Sequence, residues 1–364
     1  MLFVQVDDLK PGMRLGKPIY NRNGVLLYDR DSKLTMQAIY GIRNFGLMGI
    51  YILEPAEPVP PMTEDDINFE RFQTMAVFSI REDLELLAAG KKDKTLDWLC
   101  SLIIKNYVNH KPKINFIQSL RSNEDYNYKH ALNVAILAGI IAGQLKLPAG
   151  RINQLVKAAV LHDIGTLKLP EGPIGEEQDA EILELCRRNT MEILNRHKDL
   201  DPDIEKIITA TLDLVVHEED GKAAANSKAN QNAAILYVAD SFDRMTAMKS
   251  YEEPTSEVLA IRVLLEHPEY FDQKVVNALI DGINILYPGV CVELTNCDKG
   301  LVIIENHENL FEPWVLSFSD NKLYDLSSPS VKAKLQIADV MKTMDNRIKI
   351  DPELLSEYDG VLTK

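Results

Sequence analysis

The stretch Ala158-Ala159-Val160-Leu161 is an apolar run that ends in two side chains able to bind metal, His162 and Asp163, followed by Ile164 and Gly165. An apolar run of this kind belongs on a buried helix. A histidine and an aspartate at its end cost free energy unless something pairs with them. A divalent metal is one such partner, because imidazole nitrogen and carboxylate oxygen suit zinc, manganese or iron. Neighbours on a helix diverge by about 100°, so both side chains can approach one centre from adjacent directions. Gly165 is expected as a helix stop that tolerates positive φ. Taken alone, the dipeptide fits better on a capped core helix with a surface His-Asp pair.

Its surroundings change that balance. Residues 113–290 read as nearly continuous helix, with spacing that predicts helices over 128–147, 151–164, 177–196, 202–216 and 231–248. The first carries Leu132, Ala135, Ile136, Gly139, Ile140 and Gly143 at helical spacing, and its small residues permit close packing. His130 lies one turn into it. Asp240 follows Ile235, Leu236, Val238 and Ala239, so it reads as a ligand or as the buried partner of a cation. Asp243 falls three residues on, on the same face, and is expected as a supporting or salt-bridge residue. Three helices of a bundle can aim His130, His162-Asp163 and Asp240 at one point in its core.

The flanks carry no comparable chemistry. Residues 1–53 read as a small α+β module, with turns at Pro11-Gly12 and Asn23-Gly24, a helix over 35–45 and a strand over 49–53. Residues 54–62 form a linker, with four prolines between Glu54 and Pro61. Residues 63–124 read as a helical connector, with helices from Thr63 to near Gly90 and from Thr95 to Asn109. The pattern then switches to period two across a β extension, 289–327, with strands near 290–294, 301–304 and 314–318. A polar tail, 328–364, is expected to hold one short helix near 334–344. A net charge of −15 argues against a nucleic-acid polymer as partner. The four cysteines show no CxxC pair, the N-terminus lacks the pattern of a signal peptide, and the longest apolar run, Val134–Gly143, is too short to span a bilayer. A cytoplasmic protein with no membrane span is expected.

The order His130 … His162-Asp163 … Asp240 resembles the H…HD…D pattern of the HD phosphohydrolase superfamily. Closer matches are to the HD-GYP family of bacterial cyclic-di-GMP phosphodiesterases. Asp125-Tyr126-Asn127-Tyr128-Lys129-His130-Ala131-Leu132-Asn133-Val134-Ala135 resembles the opening helix of those domains. Leu161-His162-Asp163-Ile164-Gly165 resembles their HD-I-G signature, and Val238-Ala239-Asp240-Ser241-Phe242-Asp243 their later aspartate motif. Lys249-Ser250-Tyr251 is similar to a worn Arg-Pro-Tyr, and Tyr287–Leu294 to the start of a common C-terminal extension. The Leu9-Lys10-Pro11-Gly12-Met13 module resembles one often found before such domains. The implied architecture is mainly α: an HD-type helical bundle over 125–288, with the small N-terminal α+β module and the C-terminal β appendage.

The resemblance implies a divalent metal, iron or manganese first. Asp163 would bridge two ions and serve catalysis, while His130, His162 and Asp240 would complete the first site. Cys186 and His217 would serve the second, which has lost one nitrogen because Val216 stands where the family has a second histidine. His197 is an alternative if the helix register differs. The GYP loop is missing, replaced by a featureless stretch after Asp220-Gly221. Thr166 stands where the family has a lysine, leaving Lys168 two residues on as the catalytic lysine, and Lys249 holds a phosphate-binding arginine position. One well-formed metal site and a weak or absent second are therefore expected. The implied ligand is a cyclic dinucleotide or another phosphoester, and a homodimer is compatible with the sequence. The implied function is a phosphodiesterase of impaired or altered activity. The alternative is a catalytically inactive module used for ligand binding or protein interaction in signalling.

Overall fold

The structure, a computed structural model, describes residues 2–21, 23–44, 49–53, 63–110, 113–116, 118, 121, 125–169, 180–216, 230–247 and 254–340. The expected linker, His217, Lys249, the segment after Asp220 and residues 341–364 lie outside the described residues. The architecture is mainly α with small β elements at both ends. The chain divides into two compact units, residues 1–67 with 285–364, and residues 68–284.

The N-terminal part of the first unit runs β1 (Leu2–Gln5), β2 (Arg14–Leu15), β3 (Ile19–Tyr20), β4 (Leu26–Tyr28), α1 (Met36–Asn44) and β5 (Gly49–Leu53). β5 sits between β1 and β2 in an antiparallel sheet, and Leu15, Ile39, Ile42 and Ile52 fill the core beneath it. β3 and β4 form a separate pair around Asn23-Gly24, where Gly24 takes φ +72°.

Helix α2 (Glu64–Ala88) opens on a reciprocal cap. Thr63 Oγ1 accepts from the Asp66 amide at 3.1 Å, and Asp66 returns a carboxylate to the Thr63 amide at 2.9 Å. α3 (Leu96–Ile103) follows and runs into a π-turn, Ile104–Val108. Next come α4 (Tyr126–Gln144), α5 (Ala149–Leu161), a 3₁₀ turn (Ile164–Lys168), α6 (Ala180–Leu194), α7 (Pro202–Val216), α8 (Gln231–Thr246), α9 (Glu257–Glu266) and α10 (Gln273–Gly282). α4 is the axis of the second unit. Fourteen of its 19 residues are buried, so it is apolar all round rather than amphipathic. It packs against α5, α8, α10 and the π-turn. Leu137 and Ile141, both fully buried, each contribute roughly 2 kcal/mol of apolar burial. The expected close packing at Gly143 is present, since a Cβ there would lie 1.8 Å from the Val108 carbonyl oxygen.

The rest of the first unit is an antiparallel sheet of order β10-β6-β7-β8-β9, built from β6 (Cys291–Leu294), β7 (Lys299–Ile304), β8 (Trp314–Ser317), β9 (Leu323–Asp325) and β10 (Ile337–Val340). The helix expected near 334–344 is corrected. A short α11 (Pro329–Lys332) precedes it, and Ile337–Val340 extends to pair with β6. The exposed edge of β6 takes a strand there because Ile337 and Val340 gain burial in that register.

Candidate metal centre

The His-Asp pair does not sit as two consecutive helical residues. α5 ends at Leu161, and His162 keeps helical angles (φ −57°, ψ −35°) as its cap. Asp163 leaves the helix at φ −106°, ψ 16°, in the sparsely populated bridge region, and opens the 3₁₀ turn. The turn lies flat against α6. A Cβ on Gly165 would meet the Cys186 carbonyl oxygen at 2.2 Å and the Thr190 nitrogen at 2.5 Å. Gly165 is therefore needed for close approach. It is not among the glycines with positive φ, which corrects the expectation of a left-handed helix stop. The Gly165 amide donates to Thr190 Oγ1 at 3.1 Å, and Thr166 Oγ1 donates to the Asp163 carbonyl at 2.7 Å.

His130 from α4, His162 and Asp163 from the end of α5, and Asp240 from α8 converge. Their ligand atoms all lie within 4.8 Å of one another, and both histidines and Asp240 are buried. His130 Nε2 is 2.9 Å from Asp240 Oδ1 and 3.6 Å from Asp163 Oδ2, and His162 Nε2 is 3.4 and 3.8 Å from the same oxygens. Neither Nε2 has a hydrogen-bond partner. On each ring the other nitrogen is engaged. His162 Nδ1 lies 2.7 Å from the Ala159 carbonyl, which can only accept, so Nδ1 carries the proton. His130 Nδ1 lies 2.7 Å from the Asp243 carboxylate, with the same consequence. Two buried imidazole lone pairs thus face two carboxylate oxygens with no donor between them. That arrangement suits a divalent cation, and the donor set, two nitrogens and two oxygens, is the kind first-row metals take.

Behind His130 lies a buried polar network. Arg121, fully buried, donates to both Asp243 oxygens at 2.6 and 2.7 Å. Gln118 and Asn133 donate to Asp243 Oδ1 at 2.9 and 3.1 Å, and Gln73 donates to Asn133 at 3.0 Å. Burial would raise the Asp243 carboxyl. The charge of Arg121 and the hydrogen bonds from His130 and Arg121 outweigh it and hold that carboxyl well below the usual range. Tyr126 stacks on the His130 ring at 5.6 Å and carries the Arg121 guanidinium on its own ring at 5.3 Å. This network fixes the ring's orientation and its tautomer.

The remaining sequence expectations separate. Thr166 and Cys186 line a cleft of about 60 Å³ that also includes His162, Asp163, Asp240 and Arg244. Cys186 stands outside the four-residue cluster, and burial, then Asp163, pushes its thiol up to about 11. Lys168 is turned toward Glu192, with Nζ 3.3 Å from Oε1, and does not line the cleft. His197 is turned away, with Nε2 2.9 Å from the Leu87 carbonyl. The residue that sequence reasoning missed is Arg244. Its Nε donates to Asp240 Oδ1 and its Nη2 to Asp163 Oδ2, both at 2.7 Å. Its i,i+4 spacing from Asp240 was the available signal. Burial opposes ionisation of Asp163 and Asp240, but Arg244, followed by the histidines, holds both carboxyls low.

The HD domain family model matches residues 127–245, a span that contains all four clustered residues. This span is an HD domain. A cyclic di-GMP phosphodiesterase of Pseudomonas aeruginosa, PA4108, is 28% identical over 210 residues, covering 55% of this chain. The chain spans about half of that relative's length, 49%. Bd1817, an HDG"Y"P protein from Bdellovibrio bacteriovorus, aligns structurally at a TM-score of 0.45 and 15% identity, over 77% of this chain and 98% of that one. Among the described residues, no helix is long and apolar enough to cross a membrane.

Proposed function

We propose that the HD domain hydrolyses a phosphodiester of the cyclic-dinucleotide class, using a divalent metal, iron or manganese, held by His130, His162, Asp163 and Asp240. The observation that carries this reading is the pair of buried, partnerless Nε2 atoms facing Asp163 and Asp240. The family match and the likeness to a cyclic di-GMP phosphodiesterase support the reaction class. When bound, the ion supplies positive charge to a phosphoryl oxygen and lowers the pKa of water at neutral pH. The chain's own residues do the rest. Asp243 and the Ala159 carbonyl hold the two rings in the tautomer that presents Nε2. Thr166 and Arg244 form part of the cleft that receives substrate. The engagement of Lys168 with Glu192 favours a second reading, a module that binds the ligand without turning it over.

The test is hydrolysis of cyclic di-GMP and of bis(p-nitrophenyl) phosphate by the purified full chain with added Mn(II) or Fe(II). Turnover that falls at least a hundredfold in both His162→Ala and Asp163→Ala supports the assignment. Turnover unchanged in those variants overturns it. Binding of cyclic di-GMP by calorimetry with no detectable hydrolysis selects the second reading.

A further inference from the structure

Arg244 reaches both carboxylates of the cluster with one planar fork, Nε to Asp240 and Nη2 to Asp163, each at 2.7 Å. The two oxygens it touches are the same ones the histidine Nε2 atoms approach, at 2.9 and 3.4 Å for Asp240 Oδ1 and 3.6 and 3.8 Å for Asp163 Oδ2. Each carboxylate oxygen has two lone pairs. The imidazoles address one side of this pair of oxygens and the guanidinium addresses them as well, so a cation already lies in direct contact with both carboxylates. We infer that Arg244 is the resident second cation of the centre, covalently attached and in direct contact with both carboxylates, so that the chain takes one metal ion only.

The charges agree with this assignment. Asp163 and Asp240 carry two negative charges, and Asp243 is already matched by Arg121 within its own buried pair. One divalent ion alone would leave the cluster neutral. With Arg244, which cannot lose its proton in a protein, the cluster carries one positive charge, equal and opposite to a phosphodiester. Arg244 lines the cleft and is 27% exposed, so this charge faces the side from which an anionic substrate arrives.

This inference rests on the metal centre proposed above, and its test separates the two. The full chain is loaded with Mn(II), counted by elemental analysis after desalting, titrated by calorimetry, and examined by electron paramagnetic resonance. Wild type should hold one Mn(II) per chain and give the six-line spectrum of an isolated ion. Arg244→Ala removes a cation that repels the metal, so its Mn(II) dissociation constant should fall at least tenfold and a second equivalent should bind. Arg244→Lys keeps the charge and should stay at one ion per chain. That variant, with the wild-type count itself, keeps the test decisive if Arg244→Ala does not fold. Two exchange-coupled Mn(II) ions in wild type, or no tightening in a folded Arg244→Ala, overturns the role of Arg244 and leaves the metal centre standing. If none of the three proteins binds Mn(II), the metal centre fails and the inference fails with it.

Discussion

Asp243→Asn is the sharpest test of how this site is held. The substitution keeps the shape of the side chain and removes its charge. In the native protein the carboxylate accepts two bonds from Arg121 and one each from His130, Gln118 and Asn133. An asparagine has one acceptor oxygen, and its amide would point donors at donors on the other side. Arg121 and Asp243 are both fully buried, so the change leaves an unmatched guanidinium in the core. Breaking a buried pair in this way costs about 3–5 kcal/mol. For a cooperative unit of residues 68–284 that corresponds to a fall in Tm of roughly 6–20 °C. The same change loosens the His130 ring, and loss of such an orienting partner weakens metal binding by about 10–100-fold. The assay is thermal unfolding followed by circular dichroism, paired with Mn(II) calorimetry at a temperature where the variant is folded. The double variant Arg121→Met/Asp243→Asn should recover most of the lost stability, because removing both charges removes the desolvation penalty. It should not recover metal affinity, because the carboxylate on Nδ1 is still absent. A loss below about 1 kcal/mol for the single variant, or a double variant less stable than the single, refutes the reasoning.

Three further outcomes are expected. Gly165→Ala should lower stability by roughly 3 kcal/mol, the upper end of overpacking costs, because the new Cβ meets backbone atoms of α6, which cannot rotate away. A melt within 2 °C of wild type would contradict the close packing of the 3₁₀ turn on α6. Cys186→Ala should change Mn(II) affinity by less than about threefold, since its sulfur lies outside the cluster, and a larger loss by calorimetry would return it to the ligand set. At pH 8 the native protein should show one fast-reacting thiol toward a chromogenic disulfide, the exposed Cys297. The sign follows from the shifts: burial pushes Cys100 up to about 12 and Cys186 up to about 11, and raises Cys291, so each stays a neutral, unreactive thiol until the chain unfolds. Two or more fast thiols would contradict that burial.

Much of the scaffold was legible from local pattern. The apolar spacing over 202–216 and 231–248 marks helices that the structure places at Pro202–Val216 and Gln231–Thr246. The polar residues that interrupt such runs, His130, His162, Asp163 and Asp240, stand out because buried polar groups need partners. Local pattern failed where pairing across distance decides. A short polar stretch near 334–344 looks helical on its own, yet the edge of β6 makes Ile337–Val340 a strand. Gly165 looks like a helix stop, yet its role is to let α6 come near.

The order and type of the clustered polar residues were determined by the sequence itself, because an apolar helix that ends in His-Asp can satisfy them only with a partner. That Arg244 also reaches Asp163, and that Arg121 faces Asp243, was decided only by the tertiary structure. Arg121 lies 122 positions from Asp243 and Arg244 lies 81 from Asp163, and no periodicity links residues so far apart. Coulomb attraction in a buried site depends on distance through space and on the water excluded from between the charges. Both quantities exist only once the helices have packed.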